Sequence, residues 1–399
     1  MLRLEPPALW HGTLLIARSA GRLGIPVHTV CSTRLDPAVT SRYVRGRLVV
    51  RAGASAGQWV ENLMRIGRRL GRAMLVPIDD AGTVLVDDHA DVLAEHFLFP
   101  RRPPGTGRLL GSKRELHLLA QRLGIPSPRA LCPADEAEAV EHANALGYPV
   151  VAKRSDAWLP AGCHRAPSVH IARDREDLIS AYRRMESHVA PNVLLQEHIP
   201  GTPESVWMFN GYFDERSEPL VAFTGRKLRQ HPPYTGATTL GVSLRNEQVL
   251  RDARRLLREV GYRGIVDLGF RYDARDRSYK LLDVNPRIGA TFRLFVGHNG
   301  LDVLRAQYLD LTRQAVPRDA QRDGRRWIVE PLDMKSSLQY WRDGQLTPRE
   351  WIRSLADLEE AAWVAADDPL PAANLALRLG ARAVRGIVHG RRPREATAT

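Results

Sequence analysis

The sequence predicts a mixed α/β and α+β protein of more than one domain. Three observations carry that expectation. Short apolar runs alternate with helical patterns near the N-terminus, the rhythm of an open parallel sheet. The middle of the chain reads strand, irregular loop, returning strand, and then longer strands separated by helices. A length of 399 residues exceeds one ordinary core, and gives a prior of about two to three domains.

In chain order, residues 13–17 (TLLIA), 26–30 (PVHTV) and 73–77 (AMLVP) read as buried strands of a Rossmann-like N-terminal domain, residues 1–105. The turn after the first of them, ARSAGRLG, lacks a G-x-G-x-x-G fingerprint, which disfavours dinucleotide binding. FPRRPPGTG, residues 99–107, is a linker. A second unit, 106–204, opens with a helix from about Ser112 to Leu123, then a strand near 129–131 and a helix from about Asp135 to Leu146. YPVVAKR (148–154) and SVHIA (168–172) are strands flanking the loop 155–168, a hairpin lid. A helix near 174–187 and the strand VLLQEHI (193–199) complete the unit. A third unit, 205–315, carries strands at 206–213, 219–224, 264–272 and 280–284, with helices near 246–260 and 301–313. Residues 316–399 read as a mostly helical extension with a disordered Arg-rich tail.

Composition narrows the function classes. Hydrophobic residues make up 44% of the chain, enough for a packed core. No apolar run reaches the roughly 18 residues of a membrane span, and the N-terminus lacks a basic region followed by an apolar one. Stable membrane insertion is not expected. Three cysteines, far apart and without a C-x-x-C pair, suit a reducing cytoplasm. The net charge of +13 raises nucleic-acid binding as a reading, but the basic residues spread along the whole chain rather than forming a stripe. No nucleic-acid partner is therefore expected. Only five basic residues are lysines, at 113, 153, 227, 280 and 335. In a chain that prefers arginine, each is a candidate for a role that a compact ammonium fills better.

The segment YKLLDVNPRIGATFRLF, residues 279–295, concentrates the chemistry. Strand alternation puts Asp283, Asn285 and Arg287 on one face. A carboxylate and an amide oxygen suit Mg2+, which keeps positions free for phosphates, and the guanidinium suits a phosphoryl group. The plainer reading is a strand end entering a turn at Asn285-Pro286.

Lys113 opening a helix, Lys153 closing a strand, Gln196-Glu197-His198-Ile199 in a hinge-like segment and Asp283-x-Asn285-x-Arg287 together resemble the ATP-grasp superfamily. The resemblance spans about residues 105–315, with the N-terminal unit in the place of the family's preceding domain. IPGTPESVWMFNGYFD, GRKLRQHPP and LLDVNPR look closest to the carboxylate-amine ligase branch that includes D-aspartate ligases. It implies an ATP-grasp fold in which ATP and Mg2+ activate a carboxylate as an acylphosphate, which an amine then attacks. The implied partners are a small carboxylate and an amine, an amino acid or small peptide among them, and a homodimer is compatible.

The resemblance also implies residue roles. Lys113 and Lys153 converge on phosphates; the backbone of Glu197 to Ile199, with Gln196 or Glu197, meets the adenine; Glu204 takes ribose hydroxyls. Asp283 and Asn285 are metal ligands. Arg287, Lys227, Arg229 and Arg293 are candidates for the acyl phosphate or a substrate carboxylate, against a plainer reading of the last three as a solvated basic face. One departure is Gly269, where such ligases carry an acid or glutamine. Asp267, two residues earlier on the same strand face, is expected to substitute as a metal ligand. Another is a lid with one glycine, Gly162, followed by Cys163 and His164. The alternatives are biotin-carboxylase-like carboxylation and a catalytically weak nucleotide-binding regulatory module. On a helix from about Ala372, Arg378, Arg382 and Arg385 flank an apolar stripe, which reads as packing on the protein rather than on a membrane surface.

Overall fold

The computed structural model describes residues 1–5, 10–32, 37–51, 53–159 and 166–388. Near the N-terminus, β1 (Leu2–Arg3), β2 (Val27–Cys31) and β3 (Val44–Val49) form a parallel sheet, and β4 (Ala73–Met74) pairs in parallel with β5 (Phe97–Leu98). Helices Ala56–Leu70 and Asp80–Asp88 accompany these strands. The first is fixed by a capping box of Ser55 and Gln58, and the second by Asp79, whose carboxylate accepts from the backbone N–H of Gly82.

Residues 13–17, expected as a strand, are helical: they lie in Gly12–Gly21. The run from Gly12 to Ala20 is buried on every side. A segment without a solvent face has no alternation, so a short apolar run cannot tell strand from helix. The first strand is instead the two-residue β1.

A small antiparallel sheet of order β6-β9-β7-β8 follows, from β6 (Ala130–Leu131), β7 (Val150–Arg154), β8 (Val169–Ala172) and β9 (Val193–Glu197). Helices Glu136–Leu146 and Arg175–Met185 cover it, burying Ala139, Ala143, Leu178 and Met185 against β7 and β9. The helix Lys113–Leu123 leads into this unit. The lid tip expected at Gly162, Cys163 and His164 lies outside the described residues.

The largest sheet has the order β14-β13-β10-β11-β12-β15-β16. Its strands are β10 (Val206–Phe213), β11 (Pro219–His231), β12 (Ala237–Ser243), β13 (Gly264–Asp273), β14 (Ser278–Asn285), β15 (Arg326–Ile328) and β16 (Leu358–Ala361). One face buries Phe209, Phe213, Leu268, Phe270 and Val284 under the helices Lys113–Leu123 and Glu247–Glu259. The other puts Met208, Tyr212, Phe223 and Ile265 against the N-terminal unit. The segment from 316, expected to be mostly helical, thus also lends two strands to this sheet. The helix Leu370–Val388 seats Leu375 and Leu379 in the core shared with the N-terminal unit. No described helix is long and apolar enough to cross a membrane.

That segment is locked to the N-terminal unit by one buried ion pair. Arg18 Nε lies 3.0 Å from the Asp368 carboxylate, with both side chains 2% exposed. The rest of the guanidinium donates to the carbonyls of Ala362, Trp363 and Asp368, while Ser41 Oγ donates to Asp368 at 2.7 Å. Lying after segments that read as strands, residues 18–21 and 79–83 are expected from sequence to help select substrate; the first stretch instead begins with this structural arginine, and Ser19 donates to Asp302. Removing one partner of a buried pair strands the other charge. Asp368→Ala is expected to cost about 3–5 kcal/mol in a denaturation experiment. Asp367→Ala, at the half-exposed Arg22–Asp367 pair, is expected to cost about 1 kcal/mol or less.

Candidate active site

The register of β13 against β14 builds the centre. Asp267 lies opposite Asn285, and Gly269 opposite Asp283. Alternation turns all four positions to the same face. The Asn285 amide bridges the acids, its nitrogen 3.5 Å from Asp267 Oδ2 and 3.4 Å from Asp283 Oδ2. Asn210, the partner of Asp267 on β10, is fully buried alongside.

Two glycines make room for the carboxylates. A Cβ on Gly269 would stand 2.2 Å from Asp283 Oδ1, and one on Gly289 would stand 2.6 Å from Asp267 Oδ2. The missing acid at 269 therefore has a steric counterpart: the Asp283 carboxylate lies over the glycine. Burial, and then the neighbouring Asp283 charge, push Asp267 up to about 7 against the opposing pull of Arg287 and Lys227.

Two acids and an amide fit a hard cation that completes its octahedron with water and phosphate oxygens. Among the described residues no group of three or more acidic, histidine or cysteine side chains could hold a metal ion. Coordination needs the Asn285 oxygen turned to the cation.

Cations ring this acidic centre. Lys153 is buried, donates to the Leu282 carbonyl at 3.4 Å, and is brought down to about 8 by burial, with Lys113 and Arg271 adding to the effect and Asp283 opposing it. Lys227, on β11, is lowered by burial and held by its Nζ donating to the Gly236 carbonyl at 3.0 Å, near Asp283 and Asp267. Lys113 is the first residue of its helix, after the capping Ser112, whose hydroxyl lies 3.3 Å from Ser155 Oγ at the start of the lid loop. Arg287 donates to Asp80 at 2.7 Å and to Asn285 Oδ1 at 3.3 Å. Burial works to raise the Asp80 carboxyl, but Arg287 overcomes it and holds the group ionised. The pair ties the end of the DVNPR segment to the N-terminal unit.

Four sequence candidates point elsewhere. Arg229 makes a bidentate pair with buried Asp333, at 2.8 and 2.9 Å, and donates to Ser354. Arg293 is bound by Glu360 and Asp302, which hold it protonated although burial opposes the charge. Glu197 accepts from the Arg129 N–H and pairs with Arg275 and Lys280. Glu204 pairs with Arg226 at 3.2 Å. Lys280 lies 2.7 Å from Asp273 and Lys335 is exposed, so scarcity alone does not mark a site lysine. Gln196 is buried and shares a small cavity with Lys113, His117 and Leu282; half-buried His198 and buried Ile199 follow it.

Sequence reasoning missed Arg271 and Asn210; it placed Asp80 within a stretch, 79–83, expected to help select substrate, without its pairing to Arg287. Arg271 shares the face of Asp267 and Gly269, so alternation along DLGFR was a usable signal. It donates to the Gly201 carbonyl at 2.7 Å, just after the hinge, and its charge bears on Lys153, Lys227 and His198. Arg102, in the linker, donates to the Pro286 carbonyl at 2.8 Å and so steadies the same turn.

A small sheet and a large one, with a cation-ringed acidic centre at the strand ends, define the ATP-grasp fold, as the sequence resemblance implied. No family model matches the chain. By sequence it is similar to a D-aspartate ligase of Enterococcus faecium, 24% identical over 261 residues, 62% of each chain. It thus spans less than two thirds of that relative's length. By structure it is similar to an L-amino acid ligase from Bacillus licheniformis, with a TM-score of 0.58, 14% identity and coverage of 79% of this chain and 74% of that one. A biotin carboxylase domain of Hydrogenobacter thermophilus, solved with MgADP and bicarbonate, has a TM-score of 0.58 at 15% identity, covering 82% and 72%.

Two outcomes are expected. Gly269→Ala should push the Asp283 carboxylate aside and weaken Mn2+ binding, followed by electron paramagnetic resonance, by roughly 10–100-fold. Nucleotide binding should weaken as pH rises through about 8, because Lys153 then loses its proton. Calorimetry at that pH in buffers of different ionisation enthalpy should register proton uptake with ATP, and Lys153→Met should abolish that uptake.

Proposed function

We propose that this chain is an ATP- and Mg2+-dependent carboxylate-amine ligase. The single observation that carries the reading is the ring of Lys153, Lys227, Arg271 and Arg287 around Asp267, Asp283 and Asn285. Such a ring has little use in a hydrophobic core, since buried charges are costly unless paired. It suits a polyphosphate and its cation.

In this reading Lys113 and Lys153 hold the phosphates of ATP, while the hinge from Gln196 to Ile199 takes the adenine. Asp283, Asn285 and Asp267 hold Mg2+, which supplies charge neutralisation at the phosphates when bound. Arg287, oriented by Asp80, holds the transferred phosphoryl group, and Lys227 balances the charge that develops on it. The substrate carboxylate oxygen attacks the γ-phosphorus, giving an acylphosphate and ADP. The amine then attacks the acyl carbon, phosphate leaves, and the amine's extra proton is released. Arg229 and Arg293 brace this framework. An amino acid or small peptide is the proposed substrate class, supported by the likeness to amino-acid ligases. A cytoplasmic setting, with its supply of ATP, is part of the proposal.

The test is ADP release from ATP and Mg2+ across pooled amino acids and small carboxylates, comparing wild type with Lys153→Ala. Release is expected to require a pool and to fall by roughly 100-fold or more in the variant. ATP binding by calorimetry with no ADP from any pool would instead favour a nucleotide-binding regulatory module. Bicarbonate-dependent release without an amine would favour carboxylation.

A further inference from the structure

Residues 231–236, HPPYTG, join β11 to β12 beside the acidic centre. Their geometry is tightly constrained. Gly236 donates its N–H to the Pro232 carbonyl at 2.9 Å, and a Cβ there would lie 1.9 Å from the His231 carbonyl carbon, so only glycine fits. Tyr234 has φ of 70°, a left-handed conformation that bulky residues adopt only when their surroundings enforce it.

Those surroundings are one face of the helix Glu330–Arg342 and its C-cap Asp343. Asp333, Ser336, Tyr340 and Asp343 follow the spacing three, four, three, which places them in a row. Each grips β11 or its turn. Asp333 takes the Arg229 guanidinium, and Ser336 Oγ donates to the Gln230 carbonyl at 2.8 Å and lies 3.1 Å from His231 Nδ1. The Tyr340 hydroxyl accepts from the Tyr234 N–H at 3.4 Å, and the two rings meet edge-on at 5.4 Å. The Tyr234 hydroxyl donates to Asp343 at 2.8 Å. What the turn carries toward the centre is the Gly236 carbonyl, which holds the Lys227 ammonium.

We propose that Tyr234 is a positioning residue for Lys227: clamped by Tyr340 and Asp343, it fixes the Gly236 carbonyl that holds the ammonium near Asp267 and Asp283. Tyr340 and the C-cap Asp343 thereby act on the centre through Tyr234 and Lys227. The catalytic part of this inference rests on the role given above to Lys227.

Two measurements test it. In the first, the full chain is labelled with acetic anhydride and each of its five lysines is quantified by mass spectrometry, with Lys280 as the reference in the same sample. Tyr234→Phe and, separately, Asp343→Ala remove the outer hydrogen bond and keep both the aromatic ring at 234 and the glycine at 236. Either is expected to raise the Lys227 to Lys280 labelling ratio about fivefold, the population change that one lost hydrogen bond allows. An unchanged ratio in both variants overturns the proposal.

In the second, ADP release from ATP and Mg2+ with an active pool is expected to show kcat reduced about fivefold in Tyr234→Phe, with KM for ATP unchanged. The loss should disappear in a Lys227→Ala background, because the clamp acts through that ammonium. Equal losses in both backgrounds overturn the positioning role. A Lys227→Ala variant that works at the wild-type rate overturns the role of Lys227 itself, and the catalytic part of this inference with it. The labelling ratio still decides, separately, whether the clamp holds Lys227.

Discussion

Asp267 and Asp283 are half-buried, diagonal neighbours on β13 and β14, and like charges so placed repel where water screens them poorly. Much of the surrounding architecture answers that repulsion. Lysines arrive from β7 and β11 and arginines from β13 and the turn after β14, each from a different element and each itself needing a counter-charge. The sheets bring these elements to one place. No single strand carries enough opposite charge to balance itself.

The second tier of contacts is mostly backbone. Lys153 leans on the Leu282 carbonyl, Lys227 on that of Gly236 and Arg271 on that of Gly201, while Arg102 holds Pro286. A carbonyl neutralises nothing outright, so it orients a cation without consuming its charge. Arg229 and Arg293 have full carboxylate partners instead. Lys153, Lys227 and Arg271 differ in this from Arg229 and Arg293, while Arg287, paired with Asp80, combines both kinds of contact.

Much of this was legible in the chain itself. Alternation along YKLLDVNPR placed Asp283, Asn285 and Arg287 together, and their place at a strand end needs only local periodicity. The helices from Lys113 and from Glu136 were readable because Ser112 and Asp135 cap them. Other features depended on distant partners. Residues 13–17 gave no periodic signal because tertiary packing buries every side of that helix. The part of Asp80 lies in meeting Arg287 across 207 residues. Nothing local to Arg229 or Arg293 announces that Asp333 and Glu360 wait for them. Strand β12 went unread because ATTLGVS is polar and small, a composition that suits a strand flanked on both sides.

The two strands contributed from the far end of the chain have a further consequence. β15 pairs with β12, and β16 with β15 in parallel, so this end of the large sheet is closed by residues that sequence would assign to an appendage. Shortening the chain before residue 326 would strip the partner from Leu240, Gly241 and Val242 of β12 and bare their amides and carbonyls, an invitation to pair with other molecules. The appendage thus guards the sheet against self-association, and its boundary is a poor place to cut.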